Sequence, residues 1–180
     1  MHYLMTFIFT IFMLWGCSTS KPAPLQTVNA LDLKQYQGKW YEIARYENHF
    51  EKGCVGATAD YALQSDHVAV TNSCYDAQGT MTAQAQGKAY AVENSQNTKL
   101  RVTFFWPFFG DYWVLMMGDD YEYSVVGDPS RKYLWILSRT ATISDSDRKT
   151  ILSKLPEFGY SSDLLYWTDP KAYPTAKSIP

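Results

Sequence analysis

Three cysteines and three histidines are the side chains of this chain best suited to nucleophilic chemistry, metal binding or lipid attachment. The histidines, His2, His49 and His67, stand alone in the sequence. There is no Cys-x-x-Cys or His-Glu-x-x-His pattern for a metal, and no Gly-x-Ser-x-Gly elbow for a nucleophilic serine. We therefore expect neither a metal ion nor a cofactor, and a protein that is not an enzyme.

The first cysteine, Cys17, follows a short apolar segment. Residues 3–15 are apolar apart from two threonines, a length typical of a signal peptide rather than of a membrane span. The run ends in Leu14-Trp15-Gly16-Cys17, which resembles the lipobox of bacterial lipoproteins. The resemblance implies a signal peptide over residues 1–16 and acylation of Cys17, for instance with palmitate, and Ser18 implies sorting to the outer membrane. An ordinary secretory signal with an incidental Cys17 is the alternative.

Residues 17–30 are mostly polar and contain two prolines. Such a composition predicts a flexible tether between the acylated cysteine and a folded domain. The protein is therefore expected to be held at the outer membrane by its lipid anchor and to face the periplasm.

The other two cysteines, Cys54 and Cys74, are predicted to form a disulfide. They flank two strand-like runs, 55–63 and 67–74, which antiparallel pairing would place side by side. An exported protein matures in an oxidising compartment, where an even pair of cysteines favours a disulfide. A free, reactive thiol is the alternative.

Eight strand-like runs separated by turn signals cover most of the chain between residues 40 and 139. They span residues 40–46, 55–63, 67–74, 80–91, 98–105, 112–118, 121–127 and 132–139. Their connections are too short for crossover helices, so neighbouring strands should be antiparallel. One helix, at about 145–156, begins after Ser144, a good N-cap. The pattern favours an all-β, eight-stranded up-and-down barrel with this helix packed outside, since closure removes sheet edges; a β-sandwich is the alternative.

Composition excludes several classes of protein. Hydrophobic residues make up 46% of the chain and charged residues 19%, so the chain is not largely disordered. The net charge is −2 and the basic residues form no block, so we expect no nucleic-acid partner.

Three short motifs lie at regular places along these strands. Gly38-Lys39-Trp40 opens the first strand, Asp119-Asp120-Tyr121 lies between the sixth and seventh, and Arg139 ends the eighth. This ordered set resembles the G-x-W, T-D-Y and late-arginine motifs of the lipocalin family, with Asp119 in place of the usual threonine. The stretches WYEIAR, YLWILSRT and TISD resemble the bacterial outer-membrane lipocalin lipoproteins in particular. The resemblance covers residues 31–169 and leaves residues 170–180 as a tail.

The motif residues have structural roles that follow from their chemistry. Gly38 lets the chain turn into the first strand. Trp40 is large enough to plug the closed end of the barrel, and Arg139 can stack on its indole and bind backbone carbonyls. Asp120 and Tyr121 belong to a tight turn.

Alternation along each strand predicts which side chains line the barrel. In the sixth strand both faces are apolar, and we choose the face of Tyr112 by matching the turn register, which also sets the seventh strand. The predicted ligand-binding residues are Ala59, Tyr61, Val102, Phe104, Tyr112, Val114, Met116, Val125, Tyr133 and Trp135. This lining is apolar and aromatic with a few hydroxyls, and we expect no buried cluster of charges.

We interpret the chain as a membrane-anchored lipid-binding protein that holds fatty acids or lysophospholipids for envelope lipid storage or transport. Because some lipocalins use a cysteine in the cavity, the resemblance also admits a thiol-dependent lipid isomerase using Cys54. A barrel filled by its own side chains would instead suit an envelope adaptor that binds no ligand.

Residues 104–110, Phe-Phe-Trp-Pro-Phe-Phe-Gly, predict a second interaction site. Pro107 breaks the strand, so part of the run should be a loop at the open mouth of the barrel. Exposed aromatic side chains usually mark an interaction site. Trp106, Phe108 and Phe109 are therefore predicted to contact the membrane interface or a second copy of the chain in a homodimer; a lid over the cavity is the alternative.

Overall fold

The computed structural model describes residues 23–174, which form nine β-strands and two α-helices. The strands are β1 (Gly38–Tyr46), β2 (Gly56–Leu63), β3 (Val68–Tyr75), β4 (Met81–Ala91), β5 (Lys99–Phe105), β6 (Phe108–Met117), β7 (Tyr123–Gly127), β8 (Leu134–Ser138) and β9 (Leu165–Trp167). The helices are α1 (Leu33–Tyr36) and α2 (Asp145–Phe158), with short 3₁₀ turns at Ser162–Leu164 and Pro170–Ala172. The predicted signal peptide, residues 1–16, and the predicted lipidation site Cys17 lie outside the described residues.

The strands form one antiparallel sheet that closes on itself. Each strand from β2 to β7 pairs with the next one in the chain, and β1 pairs with both β8 and β2. The predicted eight-stranded barrel is therefore confirmed, and the β-sandwich alternative is wrong. β1 pairs with β2 over Gly38–Tyr41 and with β9 over Ala44–Tyr46. The short ninth strand thus fills the seam that opens where β1 and β2 separate.

Helix α2 packs against the outside of the barrel through its apolar stripe. The Ser144 hydroxyl caps its start by accepting a hydrogen bond from the Asp147 N–H at 3.1 Å. The helix runs two residues past its predicted end at Pro156, because the proline lies in the last turn, where its missing N–H and its ring disturb little of the helix that follows. Gly159, with a φ of 81°, then ends it in the left-handed conformation.

The chain before α1 lies against the barrel. Leu25 is buried in the cluster between α2 and the barrel wall, and the Val28 N–H donates to the Val114 carbonyl at 3.0 Å. The prediction of a flexible tether over residues 17–30 is therefore wrong for its described part, residues 23–30. An apolar leucine and a backbone donor find partners on the barrel that the polar composition of the segment concealed.

Two clusters of buried side chains lie on opposite sides of the barrel wall. The outer cluster packs the wall against α2, and Ile136 and Leu155 belong to it. The inner cluster fills the barrel interior, and Trp40 and Leu100 belong to it. Which cluster a strand residue joins depends on the alternation of side chains along its strand.

A β-bulge in β6 breaks this alternation. The pairing of β6 with β7 shifts register between Val114 and Met116. As a result Leu115 and Met116 both pack in or against the outer cluster, while Val114 and Met117 pack in or against the inner one. The inward positions predicted for Met116 and Val125 are therefore wrong, since Val125 also belongs to the outer cluster.

Candidate functional site

One end of the barrel is closed by Arg139. Its guanidinium carbon lies 3.8 Å from the ring centroid of Trp40. The guanidinium also donates, at 2.6 to 3.2 Å, to the backbone carbonyls of Gln35, Gln37, Lys39 and Tyr121. Gly38 opens β1 beside it with a φ of 93°, a conformation that glycine adopts without strain. Four of the five predicted motif residues meet here, whereas Asp120 lies exposed on the turn between β6 and β7.

Three tyrosine hydroxyls form a floor inside the barrel above this closed end. The Tyr112 hydroxyl lies 2.6 Å from that of Tyr36 and 3.0 Å from that of Tyr61. The Tyr36 hydroxyl also lies 3.0 Å from that of Ser124. Burial raises the pKa of Tyr36 to about 12 and raises the pKa of Tyr61 and Tyr112 as well. The three hydroxyls therefore stay protonated and bond to one another.

Most of the predicted ligand-binding residues lie inside the barrel. Those in or against the inner cluster are Ala59, Tyr61, Val102, Tyr112, Val114 and Trp135. Tyr133 stacks on Trp135 with 5.9 Å between ring centroids, where β8 begins at the open end. Phe104 is 45% exposed near the end of β5. Met116 and Val125 face outward, and ligand contact by the remaining eight residues stays a prediction.

Several inward residues were missed by sequence reasoning. Val68 and Val70 of β3 belong to the inner cluster, and their alternation with Ala69 and Thr71 was a usable signal. Val126 of β7 follows another valine, so alternation alone could not assign it. Tyr36 comes from the four-residue helix α1, which no apolar periodicity could reveal.

The interior is nearly filled next to the tyrosine floor. The free space there is about 10 Å³, which is room for one water molecule. Its lining includes Leu33, Val68, Leu100 and Val102. Binding of an acyl chain at this level therefore requires interior side chains to repack.

Two charged residues of β1 lie inside the barrel, so the expectation of no buried charges is wrong. Glu42 and Arg45 are 2% and 4% exposed. They pair in register with Leu137 and Trp135 of β8, which face inward. The β1–β8 register shifts between Glu42 and Ala44. This bulge places two residues three apart on the same face, which strict alternation does not predict.

The Arg45 guanidinium is surrounded by oxygen atoms and an aromatic ring. Its Nη1 donates to Glu42 Oε1 at 2.5 Å, and its Nη2 donates to the Cys54 carbonyl at 2.9 Å. Its Nε lies 3.5 Å from Glu51 Oε2 and makes no hydrogen bond with any described residue. The guanidinium carbon lies 4.4 Å from the centroid of the Tyr166 ring. One cation thus faces two carboxyl groups.

The loop between β1 and β2, residues 47–55, brings Glu51 to this guanidinium. Glu51 Oε2 accepts hydrogen bonds from Asn48 Nδ2 at 2.6 Å and from the Trp135 indole at 3.2 Å. Two donors thus bond to this carboxylate oxygen, and the Arg45 Nε lies 3.5 Å from it without a hydrogen bond. The Glu51 side chain is 18% exposed, so the loop carries a partly buried charge into the open end of the barrel.

The pKa of Glu42 is raised to about 8. Burial is the main cause, and the charge of Glu51 acts in the same direction against the opposing effect of Arg45. The Thr168 hydroxyl donates to Glu42 Oε1 at 3.1 Å, while Glu42 Oε2 has no hydrogen-bond partner among the described residues. A protonated Oε2 can donate to the neighbouring Glu51 carboxylate. Burial and the Glu51 charge therefore favour the neutral form of Glu42, in which the cluster holds one cation and one anion.

This charged cluster borders a pocket of about 290 Å³. Arg45 and Tyr166 line one part of the pocket, and residues of the 47–55 loop line the rest. Charged and polar groups are therefore available at the open end, above an interior that is apolar and aromatic.

The predicted disulfide between Cys54 and Cys74 is confirmed, with 5.3 Å between the two Cα atoms. It joins the end of the 47–55 loop to the end of β3. The sulfur of Cys54 is therefore not a free thiol in this form, and the isomerase alternative would require the bond to be reduced.

The aromatic run at residues 104–110 forms a tight hairpin, in which only Trp106 and Pro107 lie outside the strands. Phe105 of β5 pairs with Phe108 of β6, so β6 begins earlier than predicted. Phe105, Trp106 and Phe108 are 75%, 78% and 70% exposed. Phe109 is 36% exposed and packs with its ring centroid 4.6 Å from the guanidinium carbon of Arg101. Contact of this hairpin with a membrane or partner stays a prediction.

Within residues 23–174, no helix has the length and apolarity needed to span a bilayer. The same part of the chain contains no group of three side chains suited to hold a metal ion. His67 Nδ1 lies 2.7 Å from Asp66 Oδ1, and His49 stacks on Phe50 with 3.8 Å between ring centroids.

Comparison with known proteins agrees with this architecture. A family profile described as "Lipocalin-like domain" matches residues 31–170. Outer membrane lipoprotein Blc of Citrobacter freundii is 39% identical over 158 residues, which cover 87% of this chain and 89% of that protein. Outer membrane lipoprotein Blc of Vibrio cholerae is 35% identical over 154 residues, which cover 84% and 90%. Insecticyanin from the tobacco hornworm Manduca sexta shares the fold, with a TM-score of 0.66 and 21% identity over 81% of this chain and 84% of that one.

Proposed function

Because the chain belongs to the lipocalin family, whose fold and relatives support binding of lipids or other small molecules, we propose that its ligands are fatty acids or lysophospholipids. The relatives in C. freundii and V. cholerae are outer membrane lipoproteins by name. We extend this location to the present chain, with an acylated Cys17 as its anchor. The bound lipids would then be stored or carried within the cell envelope.

The inner cluster is the observation that carries this proposal. It is a continuous group of apolar and aromatic side chains, and the buried polar groups beside it include the floor hydroxyls, Ser124, Glu42 and Arg45. Such a surface suits an acyl chain, because burial of each methylene contributes about 0.8 kcal/mol. The polar groups of a lipid head would find partners in the charged cluster at the open end rather than among these side chains.

Native mass spectrometry of the protein purified from membranes, with displacement of a fluorescent acyl probe, tests the proposal. We expect a bound lipid and displacement of the probe by micromolar fatty acid. Ala59→Leu adds volume inside the barrel and should weaken binding at least tenfold. Ala62→Leu, the same change at an exposed position of β2, should leave affinity within twofold. Absence of both bound lipid and displacement would contradict the proposal.

The nearly filled interior favours a second candidate, an envelope adaptor that binds no ligand. A free space of about 10 Å³ beside the tyrosine floor holds no acyl chain without repacking. The same displacement experiment separates the two functions. An adaptor would show no displacement, and Ala59→Leu would leave its envelope interactions unchanged.

We also propose that the hairpin of Phe105, Trp106 and Phe108 dips into the interface of the membrane to which the protein is anchored. The exposure of these rings supports this, since aromatic side chains partition well into the interface. Arg101 lies next to the hairpin and could contact anionic head groups. Only Lys88–Ala91 of β4 pair with β5, so the first half of β4 lies beyond these pairs, at the end of the barrel where the hairpin lies. The hairpin would thus orient the open end toward its lipid supply.

Fluorescence quenching in vesicles that contain brominated lipids tests this contact on the full-length protein. We expect quenching of the wild type and a clear loss of quenching in Trp106→Phe. Trp167→Phe is a matched control, because Trp167 packs between β9 and α2 and should not reach the lipid. Equal quenching of wild type and Trp106→Phe, together with self-association in sedimentation experiments, would assign the hairpin to a homodimer instead.

A further inference from the structure

Glu51 Oε2 occupies a small anion site to which the loop contributes the Asn48 amide at 2.6 Å and the barrel wall contributes the Trp135 indole and the Arg45 guanidinium. Arg45 and Trp135 face inward from β1 and β8, and both approach this oxygen. Glu51 itself comes from the 47–55 loop. The anion and its cation therefore belong to different parts of the molecule, and only the anion is on a surface loop.

We propose that Arg45 and Trp135 form a head-group site for one oxyanion, a carboxylate or a phosphate, and that Glu51 occupies it as an internal substitute when no ligand is bound. The proposal rests on the lipid-binding function proposed above. Arg45 is suited to this role because its guanidinium keeps its charge and presents donors in a fixed plane. Its Nε is buried and has no hydrogen-bond partner among residues 23–174, so a better placed oxyanion would gain a bond.

The remaining contacts of Arg45 would hold it in place during such an exchange. The Cys54 carbonyl and the Tyr166 ring contact the guanidinium independently of Glu51. Cys54 is tied to β3 by its disulfide, so this end of the loop stays fixed while Glu51 moves. The pocket of about 290 Å³ beside the cluster provides space for the displaced side chain.

The charge balance of the cluster also permits the exchange. With Glu42 protonated, the cluster contains one guanidinium and one carboxylate. A ligand that replaces Glu51 leaves this count unchanged. An acyl chain attached to the incoming oxyanion would extend into the inner cluster, because Arg45 and Trp135 lie on the inward face of the barrel.

Displacement of a fluorescent acyl probe by palmitic acid, lysophosphatidic acid and hexadecanol tests the site on the full-length protein. We expect the wild type to bind at least one of the two anionic lipids tenfold or more tightly than the alcohol. Arg45→Gln should abolish that difference. A preference for palmitic acid alone identifies a carboxylate site, and a preference for lysophosphatidic acid alone identifies a phosphate site; either result supports the proposal.

Glu51→Gln tests the substitute role directly and changes only a loop residue. It removes the competing charge, so affinity for the preferred anionic lipid should rise about fivefold while that for hexadecanol stays within twofold. Glu93→Gln, an exposed carboxylate in the turn between β4 and β5, lies outside the pocket beside the cluster; it is the matched control and should change neither affinity. If Arg45→Gln does not fold, Glu51→Gln alone tests whether an anionic head group binds at Arg45 and Trp135.

Equal affinities of the wild type for all three ligands would overturn the head-group site and leave the lipid-binding function standing. The same conclusion follows if Glu51→Gln shifts the anionic lipids and the alcohol by equal factors. Failure of all three ligands to bind would overturn both proposals.

Discussion

The two ends of the barrel each contain an arginine stacked on an aromatic ring, but the partners of the two guanidinium groups differ. At the closed end, Arg139 stacks on Trp40 and donates to four backbone carbonyls. At the open end, Arg45 stacks on Tyr166 and faces two carboxyl groups. Arg45 is the more deeply buried of the two, yet it is the one with an unbonded Nε.

This difference separates an arginine that holds the fold from one that can change its partner. Backbone carbonyls do not titrate, and their positions follow from α1, β1 and the β6–β7 turn. The carboxyl groups at the open end titrate, and one of them belongs to a surface loop. The closed end should therefore contribute mainly to stability, and the open end mainly to ligand exchange.

Arg139→Ala should have the largest effect on stability. It should lower the free energy of unfolding by about 3 to 4 kcal/mol, because the stacking on Trp40 and the hydrogen bonds to four backbone carbonyls are lost. Urea unfolding measures it. Arg148→Ala is a matched control, because Arg148 stacks on Trp167 at 4.0 Å on the outside of the barrel without the carbonyl contacts. That control should cost less than about 1 kcal/mol. Coincident unfolding curves for Arg139→Ala and wild type would show that the closed end does not depend on this residue.

Removing the disulfide should have the next largest effect. Cys54→Ala/Cys74→Ala should lower the free energy of unfolding by about 3 kcal/mol, because the bond closes a loop with a sequence separation of 20. The open end would then also contribute to stability, because the disulfide fixes the end of the 47–55 loop to β3. Wild type unfolded under reducing conditions should match the double variant. A double variant as stable as oxidised wild type would mean that loop closure adds nothing here.

The strands and the closed end could be predicted because local patterns determine them. Alternation and turn residues mark strands such as β3, and Gly38, Trp40 and Arg139 act through backbone conformation and stacking that do not depend on the ligand. Their side chains occupy the positions that strict alternation and a short motif imply. The cysteine pair was equally accessible, since pairing of two adjacent strands brings Cys54 and Cys74 together.

The charged cluster could not be predicted, because a β-bulge moves the side chains that follow it to the opposite face of the sheet. No residue pattern in this sequence marks where the bulges lie. The bulge in β1 places Arg45 on the same inward face as Glu42, and that in β6 turns Met116 outward. A polar segment before the barrel likewise concealed Leu25, which needs the outer cluster to be buried. These features depend on contacts between distant parts of the chain, which a single sequence does not display.

Glu42→Gln should change the pH dependence of stability. Folding raises the pKa of Glu42 from 4.5 to about 8, so between these values the folded state keeps a proton that the unfolded state has lost. The free energy of unfolding should therefore fall as pH rises from about 5 to 8, by at most about 1.4 kcal/mol per pH unit. The variant should flatten this slope and be more stable than wild type at pH 8, because glutamine stays neutral where the glutamate must ionise.

Urea unfolding across this pH range measures the slope for both proteins. Glu47→Gln, which changes an exposed carboxylate near the cluster, should keep the wild-type slope. If the free energy of unfolding of Glu42→Gln falls with pH as steeply as that of wild type, a titrating group other than Glu42 causes the pH dependence. Glu42 would then not be the neutral partner of Arg45, and the charge balance proposed for the exchange of Glu51 would not hold.

The smallest effect on stability is expected at the aromatic hairpin. Phe105→Ser/Trp106→Ala/Phe108→Ser should stay within about 0.5 kcal/mol of wild type, because these three side chains are exposed in the folded protein much as in the unfolded chain. Leu100→Ala, in the inner cluster, is the contrasting variant and should cost about 2 to 5 kcal/mol. A loss above about 1 kcal/mol in the triple variant would make the hairpin part of the folded core. The open end would then share the stabilising role that the comparison assigns to the closed end alone.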